Sequence, residues 1–209
     1  MKFVSLISTG IDSPVASYLI SKHSDEMILL HADIRPFTDE RDMNNFTRLA
    51  KHLDKIISVP VKVFVIPHGH VLSDYRSSCD DKYTCVFCKR MLLRYAEKIV
   101  DNEKADAIVM GDSLGQVASQ TLQNIKTIDN VVKTPIIRPL IGFDKDEVVK
   151  IAREIGTFDL SILPSFDCKA VPIKPATQAK IEKINTEEEK IKIKDLIDKS
   201  IDETYRLFI

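Results

Sequence analysis

Residues 3–20 read FVSLISTGIDSPVASYLI, and three kinds of chain follow one another within them. Phe3 to Ile7 is short and almost wholly apolar, the pattern of a strand buried on both faces. Ser8-Thr9-Gly10-Ile11-Asp12-Ser13 is a small, polar loop. Pro14 then opens a segment with Val15, Ala16, Leu19 and Ile20 at helical spacing. Proline in a first turn costs a helix nothing, because that N–H would have no partner anyway. Strand, small-residue loop and helix in this order make a phosphate-binding arrangement. The small residues let backbone N–H groups point at an anion, and the helix N-terminus adds the positive end of its dipole. Asp12 suits such a site once magnesium stands between it and the phosphates, since hard cations take carboxylate and phosphate oxygens together. No Gly-Lys-Ser/Thr follows, so the loop is neither a Walker loop nor a dinucleotide fingerprint. No G-x-S-x-G elbow surrounds Ser13, which argues against a hydrolase nucleophile.

The same alternation continues outward. Met27 to Ala32, Val61 to Ile66 and Ala107 to Met110 are further apolar strands, and Ile136, Ile137, Leu140 and Ile141 form a fifth candidate. Arg41 to Ile57 reads as an amphipathic helix, a second spans about Phe87 to Val100, and a third opens at Asp144. The fold class expected is therefore α/β: a Rossmann-like α/β/α sandwich around a mostly parallel five-stranded sheet, with right-handed crossovers. Ligand then belongs at the carboxyl ends of the strands, where Ser8–Ser13, His31–Arg35, Gly111–Gln116 and Gly142 fall. Past Thr177 the composition shifts: residues 178–203 are dense in Lys, Glu and Asp, with isoleucines and a leucine interspersed. Residues 1–177 are expected to form the nucleotide-binding domain. Residues 178–209 are expected to form a charged helical extension packed on it, a contact between two copies being the alternative.

The chain has 209 residues, 44% of them hydrophobic and 29% charged, enough for one ordinary domain with a solvated surface. Thirty basic and 31 acidic side chains leave a formal charge of −1, which argues against holding nucleic acid by bulk positive charge. No run approaches the ~20 apolar residues of a membrane span, and Gly10 interrupts the apolar start too early for a secretory signal. A cytoplasmic location is expected. Cys85, Cys88 and Cys79 fall within ten residues of one another, with Cys168 far downstream. In a reducing compartment that clustering points to metal or redox chemistry.

Ser8 to Ser13 resembles the S-G-G-x-D-S pyrophosphate loop of the ATP pyrophosphatases that adenylate a carbonyl oxygen, an adenine nucleotide alpha hydrolase-like fold. Thr9 stands where the first Gly is usual, a departure that bears on how the backbone approaches the phosphates. Ile7 to Pro14, YTCVFCKRM (83–91), GDSLGQVASQT (111–121) and RPLIGFDKDEVVKIAREIG (138–156) together resemble the catalytic domain of the tRNA 4-thiouridine synthases. The likeness continues through Lys174, Pro175 and Thr177, and so covers nearly the whole chain.

The resemblance implies ATP across the sheet rim, with Leu6, Ile7, His31 and Ala32 on the adenine and ribose side. It implies Ser8, Gly10, Ile11, Asp12 and Ser13 at the pyrophosphate, Asp12 acting through magnesium. Either Lys89 or Arg90 would reach the phosphates, and Gly111 and Gln120 would close the pocket. The reaction implied is adenylation of a uridine carbonyl oxygen in tRNA, followed by sulfur transfer. Relatives carry an N-terminal THUMP region for RNA and often a C-terminal rhodanese-like domain; the first strand starts at residue 2 or 3, so no THUMP region is expected here, and the residues after Thr177 are not expected to form a rhodanese-like domain. A separate THUMP-type protein presenting tRNA is the partner expected, together with a sulfur donor. Cys85, Cys88 and Cys168 match the trio that archaeal-type members associate with an iron–sulfur cluster, which would make them catalytic with Asp12. A zinc site or a redox CxxC pair are the alternatives for the same thiols. Lys169 stands where relatives often have a second adjacent cysteine. Two other functions compete: a ligase or thiolase with the same loop acting on a small molecule or another base, and an ATP-binding sensor without turnover.

Overall fold

Six strands form one sheet in a computed structural model that describes residues 1–209. In chain order they are β1 (Lys2–Ile7), β2 (Glu26–Asp33), β3 (Val61–Pro67), β4 (Ala107–Val109), β5 (Ile136–Ile137) and β6 (Tyr205–Leu207). Their spatial order is β5-β4-β1-β2-β3-β6. The first five pair in parallel, as their mainly apolar runs suit, with Ile7 opposite His31 in the register of β1 and β2. The chain runs outward from β1 to β3 and then returns to lay β4 on the other side of β1. This reversal opens a crevice at the carboxyl ends of β1 and β4.

The helices are α1 (Asp12–Ser21), α2 (Glu40–Ile56), α3 (Gly69–Ser78), α4 (Thr84–Glu103), α5 (Leu122–Asp129), α6 (Lys145–Glu154), α7 (Phe158–Ser161), α8 (Ile181–Glu188) and α9 (Ile193–Asp202). Alternation along β1 splits the core in two. Val4 and Leu6 pack on one face with Phe87, Met91 and Tyr95 of α4. Phe3 and Ile7 pack on the other with Val15 of α1 and Phe46, Leu49 and Leu53 of α2. Asp144 caps α6 reciprocally with Glu147, the capping box that stops the chain at the rim and turns it back along the sheet.

Two expectations change. The sheet has a sixth strand, because Tyr205–Leu207 adds antiparallel to the edge of β3. The charged tail is two short helices rather than one, with Ile184 and Leu196 buried in the α4-side core. Two helices escape an apolar-periodicity reading for a physical reason. The inward face of α5 is polar: Asn124 Nδ2 donates to the Ala118 and Ala176 carbonyls, and Thr127 Oγ1 to that of Ala179. In α3, only Val71, Leu72 and Tyr75 supply apolar burial. No helix is long and apolar enough to cross a membrane.

Candidate nucleotide-binding site

The loop between β1 and α1 folds on its own hydroxyls. The Ser8 N–H donates to Ser13 Oγ at 2.9 Å and the Gly10 N–H to Ser8 Oγ at 3.3 Å. Ser5 and Ser17 join strand to helix just beneath, Oγ to Oγ at 2.8 Å. Gly111, which follows β4, lies directly against this turn. A Cβ built there would meet Ser13 Cα and N at 2.7 Å, so only glycine lets the two loops close on one another.

Together these loops wall a cavity of about 450 Å³ at the sheet rim. Leu6, Ile7, Ser8, Gly10, Ile11, Asp12, Ser13, His31, Ala32, Lys89, Gly111 and Gln120 all line it, and so does Cys168. Its walls differ in character. Leu6, Leu30, Leu92 and Met110 make an apolar side continuous with the α4-side core, whereas His31, Thr38 and Asp42 make a polar side above α2. Thr38 Oγ1 donates to the Phe166 carbonyl and the Lys169 N–H to the Phe37 carbonyl, which folds the Ser165–Cys168 segment over the mouth.

Arg90 is not part of this wall. It lies 2% exposed on the far side of α4, its Nε and Nη2 on the Glu188 carboxylate at 2.8 and 2.9 Å and its Nη1 on the Thr127 carbonyl. One residue earlier on the helix, about 100° round, Lys89 faces the cavity instead. Lys89 Nζ reaches Asp112 Oδ1 at 2.6 Å, and Arg138 Nε reaches Asp112 Oδ2 at 3.0 Å. Burial pushes the Asp112 carboxyl up, but the two cations outweigh it and hold the group below its ordinary value. Gly142 likewise stays off the cavity wall.

Three further features are not signalled by any motif. Lys145, the first residue of α6, places Nζ 2.6 Å from Asp12 Oδ1. Asp42, in the first turn of α2, accepts from Thr9 Oγ1 at 2.7 Å and holds Oδ2 3.7 Å from His31 Nε2. His68, fully buried, places Nε2 3.3 Å from Cys88 Sγ and Nδ1 3.2 Å from the Tyr95 hydroxyl. Burial lowers the His68 pKa to about 3, so the ring is neutral.

The cysteines are all free thiols. Cys85 and Cys88 sit in the first turns of α4, where the helix dipole favours thiolates, yet burial wins and raises both pKa values, as it does for Cys168. Each of the three lies within electrostatic reach of another of the set. Even so, no group of three or more His, Cys, Asp or Glu side chains is gathered closely enough to hold a metal ion. Cys79 stands apart, donating to the Glu187 carbonyl with its thiol pushed up to about 11.

Known proteins share this arrangement. The family model for thiamine biosynthesis protein (ThiI) matches residues 1–193. Two curated relatives named "Probable tRNA sulfurtransferase" are each 42% identical. The one from Methanobrevibacter smithii aligns over 96% of this chain and 53% of its own length, and the one from Methanothermobacter thermautotrophicus over 93% and 50%. The chain thus spans about half the length of the curated relatives it matches. The crystal structure of a 4-thiouridine synthetase–RNA complex with bound ATP is similar at a TM-score of 0.93 and 32% identity, over 99% of this chain and 54% of that one. NMN synthetase from Francisella tularensis, 14% identical with a TM-score of 0.57 over 96% of this chain and 83% of its own, shares the fold alone. A family match over nearly the whole length, on a sheet whose rim loops carry the motif residues, makes this chain a member of the ThiI family.

Proposed function

We propose that this chain uses ATP to adenylate a uridine carbonyl oxygen in tRNA and then directs sulfur to that carbon, forming 4-thiouridine. One observation carries the reading: a single rim cavity is walled by every residue assigned to the nucleotide except Arg90, and also by Cys168. The ligase and sensor readings give no reason for a cysteine on the wall of the nucleotide cavity; a thiolase acting on another base or a small molecule shares it, and the likeness to tRNA sulfurtransferases favours tRNA uridine.

The chemistry follows from the poor leaving ability of a carbonyl oxygen. Attack of that oxygen on the α-phosphorus of ATP releases pyrophosphate and leaves the oxygen bonded to AMP. Sulfur then adds to the carbon, and AMP departs with the oxygen. Ser8, Gly10, Ile11 and Ser13 would hold the leaving pyrophosphate with backbone N–H groups and hydroxyls at the start of α1. Asp12 would bind the magnesium that enters with ATP. One carboxylate suffices there, since magnesium takes its remaining oxygens from phosphates and water. Lys89, positioned by Asp112, would offset charge building on the phosphates. Leu6, Ile7, Ala32, Gly111 and Gln120 would enclose the nucleoside.

Cys168 would carry the sulfur at the cavity mouth as a persulfide loaded from a donor persulfide; after its outer sulfur bonds to the carbon, attack of a second thiol on Cys168 Sγ would release the thiocarbonyl and leave a disulfide for a thiol reductant to reopen. Cys85, Cys88 and Cys168 are donors of a chemistry that suits iron or zinc, but they are not gathered at binding separations. A net charge of −1 supports delivery of the tRNA by a separate RNA-binding subunit. The test is isotope exchange between pyrophosphate and ATP in the presence of tRNA, followed by nucleoside analysis for 4-thiouridine. Exchange without thiolated nucleoside under any sulfur donor would restrict the function to adenylation.

A further inference from the structure

Phe166 is an aromatic ring on the wall of the nucleotide cavity, two residues before Cys168 on the segment that folds over the mouth. It is 52% exposed, so a ligand can reach it. The backbone on both sides of Cys168 is anchored. The Phe166 carbonyl accepts from Thr38 Oγ1 at 3.2 Å. The Lys169 N–H donates to the Phe37 carbonyl at 2.9 Å, and the Lys169 carbonyl accepts from Arg76 Nη1 at 3.2 Å. Ring and thiol are thus carried on one anchored piece of chain. Two cations rest on the ring: Arg41 Cζ lies 4.6 Å and Lys169 Nζ 4.9 Å from its centre. They are held differently. Arg41 Nε donates to Asp39 Oδ2 at 2.7 Å, which keeps the guanidinium in place. Lys169 is exposed and forms no ion pair, so only the weak attraction of the ring's face positions its ammonium.

Adenylation and sulfur transfer act on adjacent atoms of one base, its carbonyl oxygen and the carbon that bears it. That base must enter the mouth beside Cys168. An enzyme acting on a base takes it from single-stranded or extruded nucleic acid, and such a base needs a stacking partner to replace the neighbours it left. Resting on the reading of this cavity as a tRNA-thiolating site, we infer that Phe166 is the stacking platform for the extruded target uracil and Lys169 the contact to that nucleotide's phosphate. The base takes the place of the ammonium on the ring, and the ammonium moves to the phosphate. One weak cation–ring contact is exchanged for a stack and an ion pair. Phe166 suits this base better than adenine. Adenine has an apolar wall of its own in Leu6, Leu30, Leu92 and Met110, whereas Phe166 stands with Cys168 where sulfur must arrive. Lys169, in the place where relatives often have a second cysteine, thereby acquires a role in a chain whose net charge of −1 offers RNA little other attraction.

Transfer RNA that carries 4-thiouridine supplies the probe, because under near-ultraviolet light this base crosslinks to a side chain in contact with it. With the wild-type chain at low salt, the crosslink should map to Phe166. Phe166→Leu, which keeps an apolar side chain but has no π-face, should lose that crosslink and weaken tRNA binding about tenfold. Phe166→Tyr should restore the crosslink at position 166 and bring binding back to within about twofold of wild type. Lys169→Ala should lower the slope of log affinity against log salt by about one. ATP affinity should stay within about twofold of wild type in all three variants, which also shows that they fold. A crosslink that maps away from Phe166, or tRNA binding unchanged in Phe166→Leu, would overturn the platform. A tenfold loss of ATP affinity in Phe166→Leu would reassign the ring to adenine and overturn it as well. The 4-thiouridine content of tRNA from a strain lacking the gene separates this proposal from the function beneath it. Loss of 4-thiouridine there, beside any of these failures, would leave the function standing, whereas its persistence would remove both.

Discussion

Gly111 and Asp12 do opposite kinds of work at the cavity, one by lacking a side chain and the other by carrying a charge. A methyl at Gly111 would have to displace the backbone of Ser13, since the atoms it meets at 2.7 Å are main chain. Gly111→Ala should therefore push the two loops apart and weaken MgATP binding by about tenfold or more, as titration calorimetry would record. Asp12→Ala should abolish pyrophosphate–ATP exchange while leaving the circular dichroism spectrum unchanged, because a part-exposed rim carboxylate contributes little to the core. Full exchange activity in that variant would remove Asp12 from the reaction. Asp12, Gly111 and Gln120 were legible in the sequence because contiguous motifs carry them. Asp42 and Lys145 were not, since each matters through a partner that only folding supplies: Asp42 reaches Thr9 from α2, and Lys145 reaches Asp12 from 133 residues away. Arg90 shows the reverse error. Beside Lys89 it reads as an equal candidate for the phosphates, and helix geometry turns it away from the cavity.

At the level of elements, α8 is bound to α4 by charge as well as by apolar burial. Arg90 and Arg94 both hold the Glu188 carboxylate, and Arg90 also reaches Asn185 Oδ1 at 2.7 Å. Burial raises the Glu188 pKa, and the two arginines more than reverse it, leaving the group below its ordinary value of 4.5. A carboxyl depressed on folding contributes stability that is fully present above 4.5. That contribution is lost as pH falls below 4.5 through the depressed folded value. Glu188→Gln strands a buried guanidinium and should cost about 3 kcal/mol in urea unfolding at pH 7. The difference from wild type should narrow below pH 4, and a gap unchanged by acid would show that the cluster adds no charge-based stability. The parallel strands were legible because burial on both faces leaves mainly apolar runs. The edge strand β6 was not: Tyr205 and Arg206 are exposed, and three residues that pair on one side only carry no such signature.

For the whole molecule, the proposed function assigns the two half-reactions to different residues of one cavity wall, the phosphate loop and Cys168. Cys168→Ser should abolish sulfur transfer and spare pyrophosphate–ATP exchange, because the phosphate loop is built without it. Loss of both together would place Cys168 in nucleotide binding instead. With 30 basic against 31 acidic side chains, the chain alone should bind tRNA weakly and lose it steeply with added salt, as filter binding across a salt series would show. Tight binding that resists salt would mean the chain carries its own RNA surface and needs no presenting subunit. If this rim cavity activates a tRNA uridine for thiolation, nucleoside mass spectrometry of tRNA from a strain lacking the gene will show it. 4-Thiouridine should disappear, return with the wild-type gene and stay absent with Asp12→Ala. Undiminished 4-thiouridine in the deletion strain would contradict it.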